Sequence, residues 1–330
     1  MNNYVPPYEI TNEMIEKISS IMKSIGKLDN YKDLNKMPVL RRNSRIMSIH
    51  SSLAIEANSL TYNQVKDVID GKKVIGPEKE IQEVKNAYKA YNIIDELNPC
   101  SIKDLKKVHG VLTYLTVDES GTFRKGGEGV LDGDKCIHLC PPPEQIETLM
   151  NSLFNWMKQN KDKVHPLILS SVFHYEFVFI HPFSDENGRT ARLWQNVILS
   201  KWEDIFTYVP IESQIKKYQD EYYSVINSCN KKGSSTEFIE FMLTVIDETL
   251  KELIKSTSKE ENHISIYVNK LLNIMDYGVA MTSNELMKKL NLKSKASFRE
   301  NYLDPALENG LIKMTEPNKK TSKNQMYYKV

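Results

Sequence analysis

Few of the features that mark secreted, membrane-spanning or strongly charged proteins occur in this chain of 330 residues. Its four cysteines, Cys100, Cys136, Cys140 and Cys229, are too few and too scattered for a disulfide framework and read as free thiols. No run approaches the roughly 18 apolar residues that a membrane span needs. The opening MNNYVPPYEI has no basic segment leading into an apolar one, so the expectation is a cytoplasmic protein with no membrane partner. Lys and Arg total 44 against 43 Asp and Glu, a formal net charge of +1, so no global field draws the molecule to nucleic acid. A GxxxxGK element is absent, which makes a P-loop ATPase a poor competitor. Internal repeats and low-complexity tracts are also missing.

What remains is mostly helical periodicity, as in Ile10, Met14, Ile15, Ile18, Ile21 and Met22, with little β-branched alternation. The chain is therefore expected to be mainly α. The pattern breaks between Gly121 and Pro143, where five glycines precede the strand-like CIHLC and three prolines, and this segment reads as a hairpin or flap. Periodicity resumes over Glu144 to Lys158, Pro166 to Ile180, Asn187 to Ser200 and Gln219 to Asn230, helices able to pack as a bundle. A polar stretch, Lys251 to His263, then separates a tail with its own apolar pattern. The length exceeds what one core normally supports. The expected division is an N-terminal helical region at 1–100, a catalytic core at 101–250, a linker helix at 251–264 and a C-terminal domain at 265–330.

The segment HPFSDENGRTAR, His181 to Arg192, concentrates the chemistry. Pro182 disfavours helical backbone at His181, so the preceding apolar helix ends there with the imidazole on a turn. Asp185 and Asn187 can cap a new helix, and Gly188 permits close backbone approach. The leading N–H groups of that helix, with the partial positive charge of its dipole, form a phosphate site. Arg189 and Arg192 are three residues apart, on one face, and their guanidiniums suit phosphate oxygens. Asp185 beside phosphates suits Mg²⁺. Histidine is the one residue type here whose unperturbed pKa lies near neutrality, so His181 could take a proton from an incoming hydroxyl. Singly, each residue also fits a capping or salt-bridge role. Together, seven fixed positions would recur by chance about once in a billion starts.

This pattern resembles the Fic family signature HxFx(D/E)GNGRxxR. The resemblance implies a Fic-type helical bundle with a short β-hairpin flap and an ATP-using, Mg²⁺-dependent protein adenylyltransferase. Its target would be a protein hydroxyl, the chain itself included, and a homodimer is the expected assembly. His181 would be the general base, Phe183 the anchor of the loop, and Asp185 the Mg²⁺ ligand. The nucleotide-binding set would be Asp185, Glu186, Asn187, Gly188, Arg189 and Arg192, with Arg189 on the α- and β-phosphates and Arg192 on the γ-phosphate. Glu186 stands where the family has Gly, placing a negative charge beside the anion hole. A Glu186 side chain turned to solvent would spare the site, and retained activity is the expectation.

Upstream, SSLAIEANSLT resembles the family's inhibitory motif (S/T)xxxE(G/N), with Ser52 and Glu56 in register and Ala57 departing from it. By that resemblance Glu56 competes with the γ-phosphate for Arg192. The plainer reading pairs Glu56 with Arg41, Arg42 or Arg45. Downstream, YYSVINSCN resembles the segment that holds adenine and ribose, through Tyr222, Tyr223 and Asn230. The flap at Lys135 to Cys140 would pin the target's backbone beside His181. Cys136, His138 and Cys140 share one strand face, but a closed zinc site needs four ligands and no fourth lies near. His109, His165 and His174 read as core histidines.

The tail resembles the winged-helix C-terminal domain of many bacterial Fic proteins. Eleven Lys or Arg stand against six Asp or Glu between Ser265 and Val330, and Lys293, Lys295, Arg299, Lys319, Lys320 and Lys323 are candidates for DNA phosphates. Two alternatives stay open: removal of AMP rather than its addition, and a nucleotide-sensing DNA-binding regulator with an impaired site.

Overall fold

The computed structural model describes residues 4–30, 38–132, 135–260, 266–276, 278–317, 319, 322 and 324–329, with the backbone alone at 29, 30, 38, 39, 130–132, 135–138, 257–260 and 266. The Lys320 and Lys323 side chains, and those of Lys135, Cys136 and His138, lie outside the described residues.

In chain order the elements are α1 (Asn12–Asn30), α2 (Pro38–Ile55), α3 (Tyr62–Ile69), α4 (Glu78–Asn92) and α5 (Ile102–Leu112), then the strands β1 (Gly129–Asp132) and β2 (Lys135–Leu139). There follow α6 (Pro143–Asn160), α7 (Pro166–Ile180), α8 (Asn187–Ser200), α9 (Ile211–Lys217), α10 (Gln219–Lys232) and α11 (Thr236–Glu260). The remainder is α12 (Ile266–Asn273), β3 (Met281–Thr282), α13 (Ser283–Lys289), α14 (Lys295–Phe298), a π turn (Arg299–Leu303), α15 (Asp304–Glu308), β4 (Ile312–Met314) and β5 (Met326–Lys329). The chain is thus mainly α. No helix among the described residues is long and apolar enough to cross a membrane.

Two compact units result, one formed by residues 1–26 and 44–252, the other by 27–43 and 253–330. At the centre of the first, α7 packs on α8 and α6. Every residue of α7 from Leu167 to Phe177 is buried, which is why its sequence is apolar all round rather than amphipathic. The carboxyl end of α7 and the amino end of α8 meet at the six-residue connection His181–Glu186. That connection cannot drift, because Phe183 is fully buried and stacks on His109 with ring centroids 3.6 Å apart and planes at 6°. β1 and β2 form an antiparallel hairpin whose base is closed by Cys140 N–H donating to the Glu128 carbonyl at 3.1 Å.

The second unit has its own core, including Val268, Leu271, Leu286, Phe298, Leu303 and Ile312. Its strands make one antiparallel sheet in the order β3-β5-β4. Thr282 and Glu285 close a capping box at the start of α13.

Candidate active site

His181 follows the last turn of α7 in left-handed backbone, φ 52° and ψ 59°, as the residue before a proline that cannot stay in the helix. Its N–H still donates to the Phe177 carbonyl at 2.9 Å, and its Nδ1 lies 3.4 Å from the Val178 carbonyl. Arg124 fixes the turn from outside. Its Nε donates to the His181 carbonyl at 2.7 Å and its backbone N–H to the Pro182 carbonyl at 2.9 Å. The same guanidinium reaches the carbonyls of Gly126 at 2.7 Å and Pro141 at 2.6 Å, one on each side of the hairpin. A single buried cation therefore ties the base of the flap to the backbone of the imidazole.

Between Phe183 and α8 the loop is braced by Asn187, whose Oδ1 accepts from the Phe183 N–H at 2.9 Å and whose Nδ2 donates to the Phe183 carbonyl at 2.7 Å. Both ends of that amide thus bond to the loop. Asp185 Oδ1 accepts from the Glu186 N–H at 2.7 Å, and the Asp185 carbonyl meets His109 Nε2 at 3.1 Å. Burial lowers the His109 pKa to about 4, so this ring stacks and hydrogen-bonds as neutral imidazole. No side chain caps the first turn of α8, leaving its leading N–H groups to an anion.

A carboxylate already occupies that position. Glu56, just beyond α2, accepts through Oε1 from Arg192 Nη2 at 2.6 Å and through Oε2 from Arg189 Nε at 3.2 Å. A Cβ built on Gly188 would collide with the same carboxylate, so the missing side chain is what lets Glu56 approach the helix terminus. Ser52, one turn earlier on α2, takes the other face of Arg192: its Oγ accepts from Nε at 3.1 Å and its carbonyl from Nη2 at 3.0 Å. Burial works to raise the Glu56 pKa, but the Arg192 and Arg189 guanidiniums outweigh it and hold the carboxyl below its ordinary value. Of the alternative partners, Arg45 donates instead to the Tyr91 carbonyl.

Glu186 departs from the solvent-facing arrangement that would spare the site. It is buried, in left-handed backbone with φ 62°, and its Oε2 lies 2.7 Å from Arg189 Nε. Burial raises its pKa well above the ordinary carboxylate value, against the opposing pull of Arg189. Glu83, on α4, brings a third carboxylate to Arg189, with its Oε2 3.3 Å from Nη1 and held by Asn58 Nδ2 at 2.9 Å. Sequence reasoning missed both Glu83 and Arg124.

The cleft these residues surround has a volume of about 240 Å³ and is lined by Glu56, His181, Asp185 through Gly188, Arg192, Tyr222, Tyr223 and Asn230, among others. Tyr222 is buried, with its hydroxyl 3.0 Å from His174 Nε2, so it forms wall rather than open platform. Tyr223 is 43% exposed and lines the cleft. Asn230 Oδ1 accepts from the Tyr175 hydroxyl at 2.9 Å. The arrangement can hold a polyphosphate between a helix terminus and the Arg192 guanidinium, with an imidazole at one end, while Arg189 does not line the cleft and lies behind Glu56 and Glu186, which do. Among the described residues no group of three or more His, Cys, Asp or Glu is placed to hold a metal. A Mg²⁺ here would be held through Asp185 and ligand phosphates, the usual arrangement for that ion.

Known proteins match in the same places. The profile of the Fic/DOC family covers residues 99–199, and that of the "Filamentation induced by cAMP protein Fic-like, C-terminal domain" covers 267–328. Among curated relatives, "Protein adenylyltransferase Fic" of Nematostella vectensis is 28% identical over 76% of this chain, and that of Aedes aegypti is 28% identical over 69%. The chain spans about half the length of these relatives, 58% of the first and 45% of the second. A Fic family protein from Desulfovibrio desulfuricans G20, solved by crystallography, superposes with a TM-score of 0.75 at 38% identity, covering 99% of this chain and 98% of that one. With likeness of that extent over both full lengths, the chain belongs to the Fic family.

Proposed function

We propose that this chain transfers AMP from ATP to a hydroxyl side chain of a protein, itself included, and that Glu56 holds the site closed at rest. One observation carries the reading: an anionic side chain sits on Arg192 and against Gly188, at a helix terminus built to receive anions. The name shared by the curated relatives supports the chemistry.

With Glu56 withdrawn, the α8 terminus and Arg189 take the α- and β-phosphates and Arg192 the γ-phosphate. Asp185 holds Mg²⁺, which would offset phosphate charge. Tyr223 offers its ring face to the adenine, with Tyr222 behind it and Asn230 at the edge. The edge of β2 pairs with the target's extended backbone and brings a Ser, Thr or Tyr hydroxyl to His181. His181 accepts the hydroxyl proton as the oxygen attacks the α-phosphorus. The bond from that phosphorus to the bridging oxygen breaks, and pyrophosphate leaves with the electron pair.

Incubating the Glu56→Gly protein with Mg²⁺, a cell lysate and ATP labelled in the α-phosphate should put label on protein, and the added His181→Ala change should remove it. Label released from a previously modified protein would point instead to AMP removal. ATP binding without transfer would favour a nucleotide-sensing regulator.

A further inference from the structure

The arrangement around Arg189 differs from that around Arg192. Arg192 has one carboxylate, Glu56, and otherwise the neutral hydroxyl and carbonyl of Ser52. Arg189 is ringed by three, with Glu56, Glu83 and Glu186 oxygens at 3.2, 3.3 and 2.7 Å. Glu186 also sits in left-handed backbone that glycine adopts freely and a Glu side chain adopts at a cost. Such strain persists where surroundings over-determine it, and clusters at functional sites. The Glu186 side chain is 1% exposed and its Oε2, though close to Arg189, makes no aligned hydrogen bond among the described residues. Burial beside Arg189, rather than a directed hydrogen bond, marks the contact.

We propose that Glu186 is a second determinant of nucleotide affinity, holding Arg189 independently of the contact between Glu56 and Arg192. The two carboxylates differ in their tie to Arg189. Glu56 comes from a distant part of the chain, just beyond α2, whereas Glu186 precedes Arg189 by three residues at the start of the same helix. Withdrawal of Glu56 therefore frees Arg192 while leaving Arg189 with two carboxylate neighbours. A phosphate seated on Arg189 must displace or share with Glu186 whatever Glu56 does. Removing Glu186 should then strengthen di- and triphosphates by the same factor, since both place a phosphate on Arg189. Removing Glu56 should favour the triphosphate, since that ligand alone reaches Arg192.

This inference rests on reading the cleft as an ATP cradle, and one titration series separates the two claims. Calorimetry with Mg·ATP and Mg·ADP on the full chain would compare Glu56→Gly with Glu56→Gly/Glu186→Gly, with Glu56→Gly/Glu186→Gln as the version that keeps shape and replaces the carboxyl by an amide. The double glycine variant should bind both nucleotides about tenfold more tightly than Glu56→Gly, the low end for one charge-assisted hydrogen bond, with an unchanged ATP-to-ADP ratio. The glutamine variant should fall between and serves if the glycine variant does not fold. Equal affinities with and without Glu186 would overturn its role and leave the cradle standing. No nucleotide binding by any variant would overturn both.

Discussion

Replacing Glu56 by Gly should destabilise the free protein and at the same time make it more responsive to nucleotide. In the resting state Glu56 pairs with Arg192 at 2.6 Å and Arg189 at 3.2 Å; the Arg192 side chain is 1% exposed and that of Glu56 is 23% exposed. Breaking a fully buried ion pair from one side costs about 3–5 kcal/mol. Water entering through the cleft can reach Arg192 once Glu56 is gone, and Ser52 continues to accept from it, so about 1–3 kcal/mol is the reasonable range here. In a chain of this size that lowers the melting temperature by roughly 1–4 °C. Nucleotide then occupies the vacated guanidinium: Mg·ATP at one hundred times its dissociation constant returns about 2.7 kcal/mol. Wild-type protein, still plugged by its own carboxylate, should shift far less. Differential scanning calorimetry of both proteins with and without Mg·ATP reads all four states. Identical melting temperatures in the free state, or equal shifts with ATP, would refute the reasoning that Glu56 both stabilises and blocks this site.

Three further outcomes follow from other contacts. Burial raises the Glu176 pKa to about 7, with the Tyr4 hydroxyl donating to it and pulling the other way. The folded protein thus keeps a proton that the unfolded chain loses near 4.5, so this group costs wild type stability as pH rises from 4.5 to about 7. Glu176→Gln should gain about 3 kcal/mol on wild type over that window in denaturant titrations, and a constant difference would contradict it. Glu56 titrates with the opposite sign: its depressed pKa keeps the ion pair intact above the ordinary carboxylate range and loses it only as pH falls through the lowered value. Wild-type nucleotide affinity should therefore stay low on mild acidification to about pH 5 and not open there. Arg124→Met removes three side-chain bonds that join His181 to the hairpin and should slow protein transfer about tenfold or more in the Glu56→Gly background, with ATP affinity within about threefold and partial rescue by Lys. A parallel loss of ATP affinity would assign Arg124 to general stability instead.

The loop between α7 and α8 was readable because its determinants are local: proline ends one helix, Phe183 is apolar, and a new helix follows within six residues. Helix spans followed from apolar spacing, with Pro166–Ile180 and Asn187–Ser200 falling where periodicity places them. The approach of Glu56 to Arg192 was legible only through its register in a motif, since 136 residues separate the partners. The direction of Glu186 was not legible, because it depends on a backbone sign, φ 62°, that its residue type disfavours. Arg124 and Glu83 gave no local signal either. Arg124 acts on backbone carbonyls as far away as residue 181, and Glu83 meets Arg189 across more than a hundred residues. Tyr222 lines the cleft, and the bond between its hydroxyl and His174 gave no signal in the sequence.

The central claim is that His181 accepts a hydroxyl proton beside a phosphate cradle it does not itself build. Single-turnover transfer of AMP to a protein substrate, measured beside ATP affinity for Glu56→Gly with and without His181→Ala, tests it most directly. The account requires a loss of about 10²–10⁴-fold in the transfer rate with affinity essentially unchanged. Transfer that persists without the imidazole, or that fails only because ATP no longer binds, would contradict it.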